Sequence, residues 1–288
     1  MKTVAVVVNP RIEGAVKFGR DIVPWLQERN TIAMLEHEAA VATGLERLSR
    51  SAKQLTAADF ALVLGGDGTL LRASRMMAPA GVPMLAVRFG KFGFMTDTEP
   101  KDARAGLGRV LEGRFEIDER MMLRVDVRRA GKRVSSTIAL NDVVIAKGPL
   151  ARMLRLGTYV SEKYISTYES DGLIVATPTG STAYSLSAGG PLVTPDLNVL
   201  IITPICPHTL NARSLLISNK ETVKVVVEVD PGDVVMLTVD GQVGVPLEQG
   251  DEAVVGEAKF KAKLISVGET TFFDKLQTRL RWGDRFDL

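Results

Sequence analysis

Short apolar runs alternate with segments whose apolar positions repeat at helical spacing through the first third of the chain. Val4–Val8 reads as a buried strand, Gly14 to Gln27 as a helix, Thr31–Leu35 as a second strand and Leu45 to Leu55 as a second helix. Phe60–Leu64 is a third strand, closed by a glycine-rich turn and a helical pattern through Leu70, Leu71, Met76 and Met77. Pro83 to Val87 makes a fourth strand and Asp102 to Leu111 a further helix. Strand–helix alternation of this kind predicts a mostly parallel sheet covered on both faces, so residues 1–115 read as a Rossmann-like α/β domain.

After Gly113 the rhythm changes. Met122–Arg128 and Val134–Leu140 flank Ala130-Gly131-Lys132 as a hairpin, and Thr222–Val229 and Val234–Val239 flank Pro231-Gly232-Asp233 in the same way. Lys259–Leu264 alternates with its lysines outward. Residues 116–265 therefore read as a β-rich domain with one wet face. In 266–288, Phe273, Leu276 and Leu280 fall at helical spacing, which predicts a C-terminal segment returning to the first domain.

The 288 residues leave room for two ordinary domains, and 45% apolar with 24% charged residues is typical of a soluble globular enzyme. Lys plus Arg (36) nearly balances Asp plus Glu (34), so neither a nucleic-acid nor a membrane-surface partner is expected. No apolar run approaches membrane-spanning length. Met1–Pro10 lacks an A-x-A cleavage site and reads as a first strand rather than a signal peptide, which points to the cytoplasm. Cys206 stands alone, excluding an intrachain disulfide or a thiolate zinc site, and is expected to be buried.

The sharpest chemical signal is the turn Gly65-Gly66-Asp67-Gly68-Thr69. Its glycines lack Cβ, so backbone amides can close around a phosphate oxygen, and the following helix offers its positive end to the same anion. Asp67 repels such a ligand unless it accepts a proton from an attacking hydroxyl or holds a metal ion; otherwise it caps the helix. The turn is neither a Walker loop, since no G-x-x-x-x-G-K-[ST] occurs, nor G-x-G-x-x-G, since Leu71 fills the sixth position. Arg72 lies one turn further on, placed for a phosphate. Arg88 to Phe94 ends the fourth strand on the edge where ligands of parallel sheets sit; Arg88 and Lys91 suit phosphate, and Phe92 and Phe94 read as inward packing.

In the second half, Asn141-Asp142 interrupts an apolar strand, where burial demands a partner. An Asn amide matches the N6/N7 edge of adenine and a carboxylate accepts from ribose hydroxyls; the alternative is a hairpin or bulge pair. Asp171, between Ser170 and Gly172, reads on its own as a turn residue. Thr177–Pro191 is dense in Ser, Thr and Gly and follows a buried run, so it reads as a binding loop for a sugar, phosphate or amide rather than a linker. Within it Thr182 to Ala188 suggests a short helix, capped by Ser181 or Thr182 and ended by Gly189-Gly190. His208 reads as structural or pocket-lining, Arg72, Arg152 and Arg155 by themselves as solvated cations, and Gln242 as ambiguous.

Taken together, these residues resemble the NAD kinases. The resemblance rests on Gly65–Thr69, Asn141-Asp142, Ser170–Leu173, Pro207–Leu210 and above all Pro178–Ser185, a run specific to that family. It implies phosphoryl transfer to the 2′-hydroxyl of the adenosine ribose of NAD, giving NADP, with ATP or polyphosphate as donor and Mg²⁺ or another divalent cation. It implies that Asp67 takes the hydroxyl proton, that Gly65, Gly66, Gly68 and Thr69 hold phosphates, and that Asn141 and Asp142 hold the adenosine. Asp171, Thr182, Ala183, Tyr184, Ser185, Leu186 and Ser187 would hold the rest of the dinucleotide, with Arg72, Arg152, Glu169 and Gln242 lining the site. It further implies a homodimer or homotetramer whose adenosine pocket can borrow from a neighbouring subunit. Relatives usually have Asn where Arg88 stands and Leu at Phe92, and bacterial members often have Glu where Asp142 stands. Diacylglycerol-type lipid kinases and phosphofructokinases share the Gly-Gly-Asp-Gly turn, so a lipid or sugar kinase is the enzymatic alternative, and a dinucleotide-binding regulator without turnover is the other.

Overall fold

The structure, a computed structural model, describes residues 1–280 apart from 91, 92, 97, 149–152, 210, 229–232 and 269. The chain forms two compact units, Met1–Glu119 with the chain from Lys261 onward, and Arg120–Phe260.

In the first unit a six-stranded sheet runs in the order Thr31–Leu35, Lys2–Val8, Phe60–Gly65, Met84–Arg88, Ala262–Ser266, Glu116–Arg120. The pairings from Thr31–Leu35 to Ala262–Ser266 are parallel. Val4, Val6 and Val8, Leu62 and Leu64, and Leu85 and Val87 share one core with Ile22, Leu26, Leu107 and Val110 of the covering helices Glu13–Gln27 and Ala103–Leu111. The alternate positions Val7, Val63 and Met84 are buried as well, so the strands are covered on both faces, as crossover topology requires.

Three expectations are corrected here. The helix expected over Leu45 to Leu55 is instead a helix His37–Thr43, ended by Gly44 at φ 71°, and a separate short helix Ala52–Leu55. Ser51 and Gln54 form a capping box there, so local side-chain bonding beats the apolar spacing that suggested one continuous helix. The alternating stretch near Leu264 is not part of the β-rich unit: Ala262–Ser266 pairs with Met84–Arg88, so the return to the first unit begins at Lys261 rather than at 266. The closing helix, Phe272–Leu280, belongs to the first unit but leaves Phe273 exposed, because its buried face carries Lys275. The part of the tail beyond Leu280 lies outside the described residues.

The second unit holds two six-stranded sheets. One runs Lys163–Ser170, Leu154–Val160, Val223–Glu228, Glu252–Glu257, Leu123–Arg129, Lys132–Ala139. The other runs Leu215–Ser218, Val199–Ile205, Gly172–Ala176, Asp142–Lys147, Val235–Val239, Val243–Leu247. Val125, Val225 and Val255 from the first sheet and Val143, Ile145, Val175 and Leu237 from the second share one apolar core. Val144, Ile174 and Ile201 form a smaller core on the other side of the second sheet, so its central strands are apolar on both faces. The expected turn at Pro231-Gly232 lies outside the described residues. Cys206, expected to be buried, is exposed at φ 44°, just past the strand Val199–Ile205.

The hairpin predicted around Ala130 forms with a two-residue loop, since Arg129 pairs with Lys132. Ala130 and Gly131 both have positive φ, 48° and 74°, the twist that matches flanking strands but strains alanine. Ala130→Asn should raise the free energy of unfolding by about 1 kcal/mol, read by denaturant titration of the full chain.

Candidate active site

In the first unit the chain passes from the strand Phe60–Gly65 through Gly66 into the helix Asp67–Met77. Gly65 is required by packing, because a Cβ there would overlap the hydroxyl of Thr69. That hydroxyl accepts a hydrogen bond from Asn9 Nδ2 at 3.3 Å, tying the turn to the end of the first strand. The amides of Thr69 and Leu70 both donate to the Gly66 carbonyl, which begins the helix and removes those two donors from any phosphate cradle. Asp67 does not cap its own helix. Its carboxylate turns outward and accepts from Phe94 N at 2.7 Å, Thr96 Oγ1 at 3.0 Å and, more weakly, Met95 N at 3.4 Å. Gly93 lets this segment come so close: a Cβ there would strike the Asp67 carboxylate.

Arg72, read as a phosphate ligand, directs Nη1 to both carboxylate oxygens of Glu36, at 2.8 and 2.7 Å. Arg88 is ion-paired with Glu99 at 2.7 Å. Phe94 is half-buried, with the Arg279 guanidinium 5.5 Å from its ring centre. Lys91 and Phe92 lie outside the described residues.

In the second unit three segments are stitched together. Asp240, at φ 50°, accepts from the successive amides of Leu140 (3.1 Å), Asn141 (2.8 Å) and Asp142 (3.3 Å), and its own amide donates to Asp142 O. Thr177 donates its amide to Asn141 O and its hydroxyl to Leu140 O at 2.6 Å, and its hydroxyl also accepts from Gly180 N. Gly180 then lies directly on Asn141, where a Cβ would overlap the Asn141 carbonyl. The Ser/Thr-rich loop is thus built against Leu140-Asn141, and it is not a linker. Its helix is Tyr184–Ser187, preceded by a single 3₁₀ turn Thr179–Thr182. Ser181 is not its cap: the Ser181 hydroxyl clasps Val193, donating to its carbonyl and accepting from its amide, both at 3.1 Å. Ser185 is fully buried and bonds Thr203 at 3.0 Å, while Tyr184 and Ser187 are exposed and Thr182, Ala183 and Leu186 are half-exposed along the same loop.

Asn141 and Asp142 are 8% and 4% exposed. Their backbone amides are satisfied by Asp240. Asn141 Oδ1 is buried without a hydrogen-bond partner among the described residues. Burial, and then the negative charge of Asp240, push the Asp142 carboxyl up to about 7. Asp171 joins the strands Lys163–Ser170 and Gly172–Ala176 and pairs with Lys147 at 2.7 Å. Glu169 takes the His208 amide on its carbonyl, and Gln242 is exposed two residues past Asp240. Arg155 is exposed and loosely paired with Glu228, as a solvated cation should be. Arg152 and Leu210 lie outside the described residues. Sequence reasoning missed two residues, Asp240 and Thr96. The Asp240-Gly241 step to positive φ was the available signal for the first, and nothing local marks the second.

Models of the ATP-NAD kinase N-terminal and C-terminal domains match residues 4–115 and 140–267. The chain is 44% identical over 283 residues to an NAD kinase of Moorella thermoacetica, covering 98% of this chain and 90% of that one. It is 40% identical over 290 residues to an NAD kinase of Desulforamulus reducens, covering 100% of each. Its fold matches yeast NADH kinase complexed with NADH at a TM-score of 0.90 and 23% identity, covering 100% of this chain and 90% of the other. It matches an NAD kinase from Archaeoglobus fulgidus in complex with ATP at 0.75 and 25% identity, covering 98% and 99%. An α/β unit with a glycine–aspartate turn and a β-rich unit with a hydroxyl-rich loop together define an enzyme of the kinase class. The chain belongs to the NAD kinase family.

Because the Asp142 carboxyl sits near 7 in the folded chain against an ordinary 3.8, the folded state holds that proton more tightly than the unfolded one. Its contribution to stability is therefore full below pH 3.8 and is lost as pH rises through about 7. Asp142→Asn removes the titration. From pH 5 to pH 8 its unfolding free energy should gain on the parent by roughly 2 kcal/mol, measured by denaturant titration at each pH.

Proposed function

We propose that this chain transfers the terminal phosphoryl group of ATP to the 2′-hydroxyl of the adenosine ribose of NAD, giving NADP. The observation that carries this reading is the unsatisfied amide oxygen of Asn141, buried beside a loop whose glycine is pressed against its backbone. A buried acceptor without a partner costs about 1–3 kcal/mol, which an adenine N6 amino group recovers on binding. Asp142, next along the strand, accepts from ribose hydroxyls, and Asp171 with Thr182–Ser187 holds the remainder of the dinucleotide. Glu169, Arg152 and Gln242 complete the lining of that pocket. Family membership and the relatives named as NAD kinases support the substrate assignment.

Phosphoryl transfer calls mainly for positioning and charge neutralisation. In the first unit Gly65, Gly66, Gly68 and Thr69 shape the donor site, with the positive end of the helix Asp67–Met77 toward it. Glu36 engages only one nitrogen of Arg72, so further guanidinium donors serve the phosphates. Asp67 accepts the proton that the attacking hydroxyl loses. Its hydrogen bonds leave lone pairs for that purpose, since a carboxylate has about four acceptor sites. No group of three or more His, Cys, Asp or Glu side chains converges as a metal cage among the described residues. That suits Mg²⁺, which keeps several waters and travels on donor phosphates with one carboxylate at hand. Asp67 is the carboxylate that would hold such an ion, whose charge would offset that of the donor phosphates.

We infer a homo-oligomer: the sheet-edge strand Lys163–Ser170 exposes Tyr164 (58%) and Ile165 (43%), apolar surface that a second copy can cover. We also infer cytoplasmic action, where ATP and NAD are both supplied; no helix among the described residues is long and apolar enough to cross a membrane.

A donor panel scored for NADP tests the reading. NAD with ATP and Mg²⁺ should yield NADP; product from polyphosphate alone would reassign the donor, and no product with any donor would leave a binding protein without turnover. Asp67→Asn should lower turnover by at least about 100-fold while NAD affinity stays within a few-fold, and near-parent turnover would remove Asp67 from its role. Asn141→Ala should weaken NAD binding by about tenfold, measured by calorimetry.

A further inference from the structure

Asp67 does not hold itself in place. Side chains at a helix start ordinarily fold back onto the first-turn amides, yet this carboxylate is directed across to a segment almost thirty residues later in the chain, Phe94 to Thr96. Of its contacts, two come from main-chain amides and one from a side chain, the Thr96 hydroxyl at 3.0 Å from Oδ1. Thr96 is fully buried, and among the described residues its hydroxyl makes no other hydrogen bond. The segment is itself anchored. Arg88 N donates to Thr98 O at 2.8 Å, Val87 and Thr98 form a bridge, and the Arg88–Glu99 ion pair fastens the same stretch to the end of the strand Met84–Arg88. Gly93 brings it into contact with Asp67 from the other end.

We propose that Thr96 is a positioning residue for Asp67: its hydroxyl fixes the carboxylate rotamer, so that one oxygen is always presented to the hydroxyl being phosphorylated. This rests on the reading of Asp67 as the proton acceptor. Phe94 N and Thr96 Oγ1 hold opposite oxygens, and together they define the plane of the carboxylate. Removing the hydroxyl leaves the Oδ2 bond in place but Oδ1 with only the long 3.4 Å contact from Met95 N, which loosens the last side-chain torsion. Misplacement of a catalytic group by about 1 Å can cost 100-fold in rate, and the loss falls on the chemical step rather than on dinucleotide binding.

The test is steady-state NADP formation by the full chain with saturating ATP and Mg²⁺. Thr96→Val should lower kcat about tenfold or more with KM for NAD within threefold, and Thr96→Ser, which keeps the hydroxyl, should stay within twofold of the parent. Thr96→Ala repeats the measurement without the branched side chain, should Val disturb the buried site. Adding Thr96→Val to Asp67→Asn should cost less than twofold beyond Asp67→Asn alone, because the group it positions is already disabled. A Thr96→Val kcat within twofold of the parent, a Ser variant as slow as Val, or a multiplicative loss in the double variant overturns the proposal. If Asp67→Asn itself keeps parent turnover, the reading of Asp67 fails; if Asp67→Asn is slow while Thr96→Val and Thr96→Ala are at the parent rate, only the positioning role fails.

Discussion

The second unit depends on one carboxylate that gathers three successive amides. Asp240 receives Leu140, Asn141 and Asp142, a concave backbone arrangement that would otherwise bury unpaired donors. Hydrogen bonds to a charged acceptor contribute about 1.5–3 kcal/mol each, enough to offset the left-handed backbone that Asp240 must adopt to make them. With the main chain held in this way, Thr177 and Gly180 can lie against the same residues, and the hydroxyl-rich loop acquires a fixed floor. What remains is the unpaired amide oxygen of Asn141 beside the buried, charge-disfavoured carboxyl of Asp142. Rigid backbone beneath unsatisfied side chains is the form that preorganised binding takes, because the ordering cost is met on folding rather than on ligand capture.

The first unit reaches a comparable result by different means. There the glycines serve close packing: Gly65 makes room for Thr69, and Gly93 for Asp67. Two of the amides beyond the turn are consumed by the Gly66 carbonyl, so the turn owes its shape to helix initiation as much as to any ligand. Its carboxylate and its nearest arginine are both already engaged, with Thr96 and Glu36 respectively. Charges held this way are kept in defined rotamers, so that a ligand would meet groups already aimed.

Local patterns carried the strands well. Val4–Val8, Phe60–Leu64 and the Ala130-Gly131 hairpin lie where apolar runs and turn residues put them, because burial and left-handed turns are decided within a few residues. Pro178–Ser185 was legible as a motif, and Asn141-Asp142 as a polar break in an apolar strand. What could not be read was set by distant partners. Ser181 looked like a cap but is claimed by Val193; Asp67 looked like a cap but is claimed by Thr96; Lys259–Leu264 looked like one more strand of the β-rich unit, yet the strand that forms, Ala262–Ser266, lies beside Met84–Arg88. In each case two readings were locally equivalent, and tertiary contact chose between them.

That last pairing bears on how the protein is made. Ala262–Ser266 lies between Met84–Arg88 and Glu116–Arg120 in the sheet, and Ile265 joins the core of the first unit. While the nascent chain is still emerging from the ribosome, the edge of Met84–Arg88 therefore stays open until Ala262–Ser266 has been synthesised, after the whole β-rich unit. The intervening β-rich unit completes its own strands, ending with Glu252–Glu257, just before that late strand emerges. A stalled or truncated product lacking the late strand would display a bare parallel edge, the kind of surface that recruits chaperones or seeds aggregation.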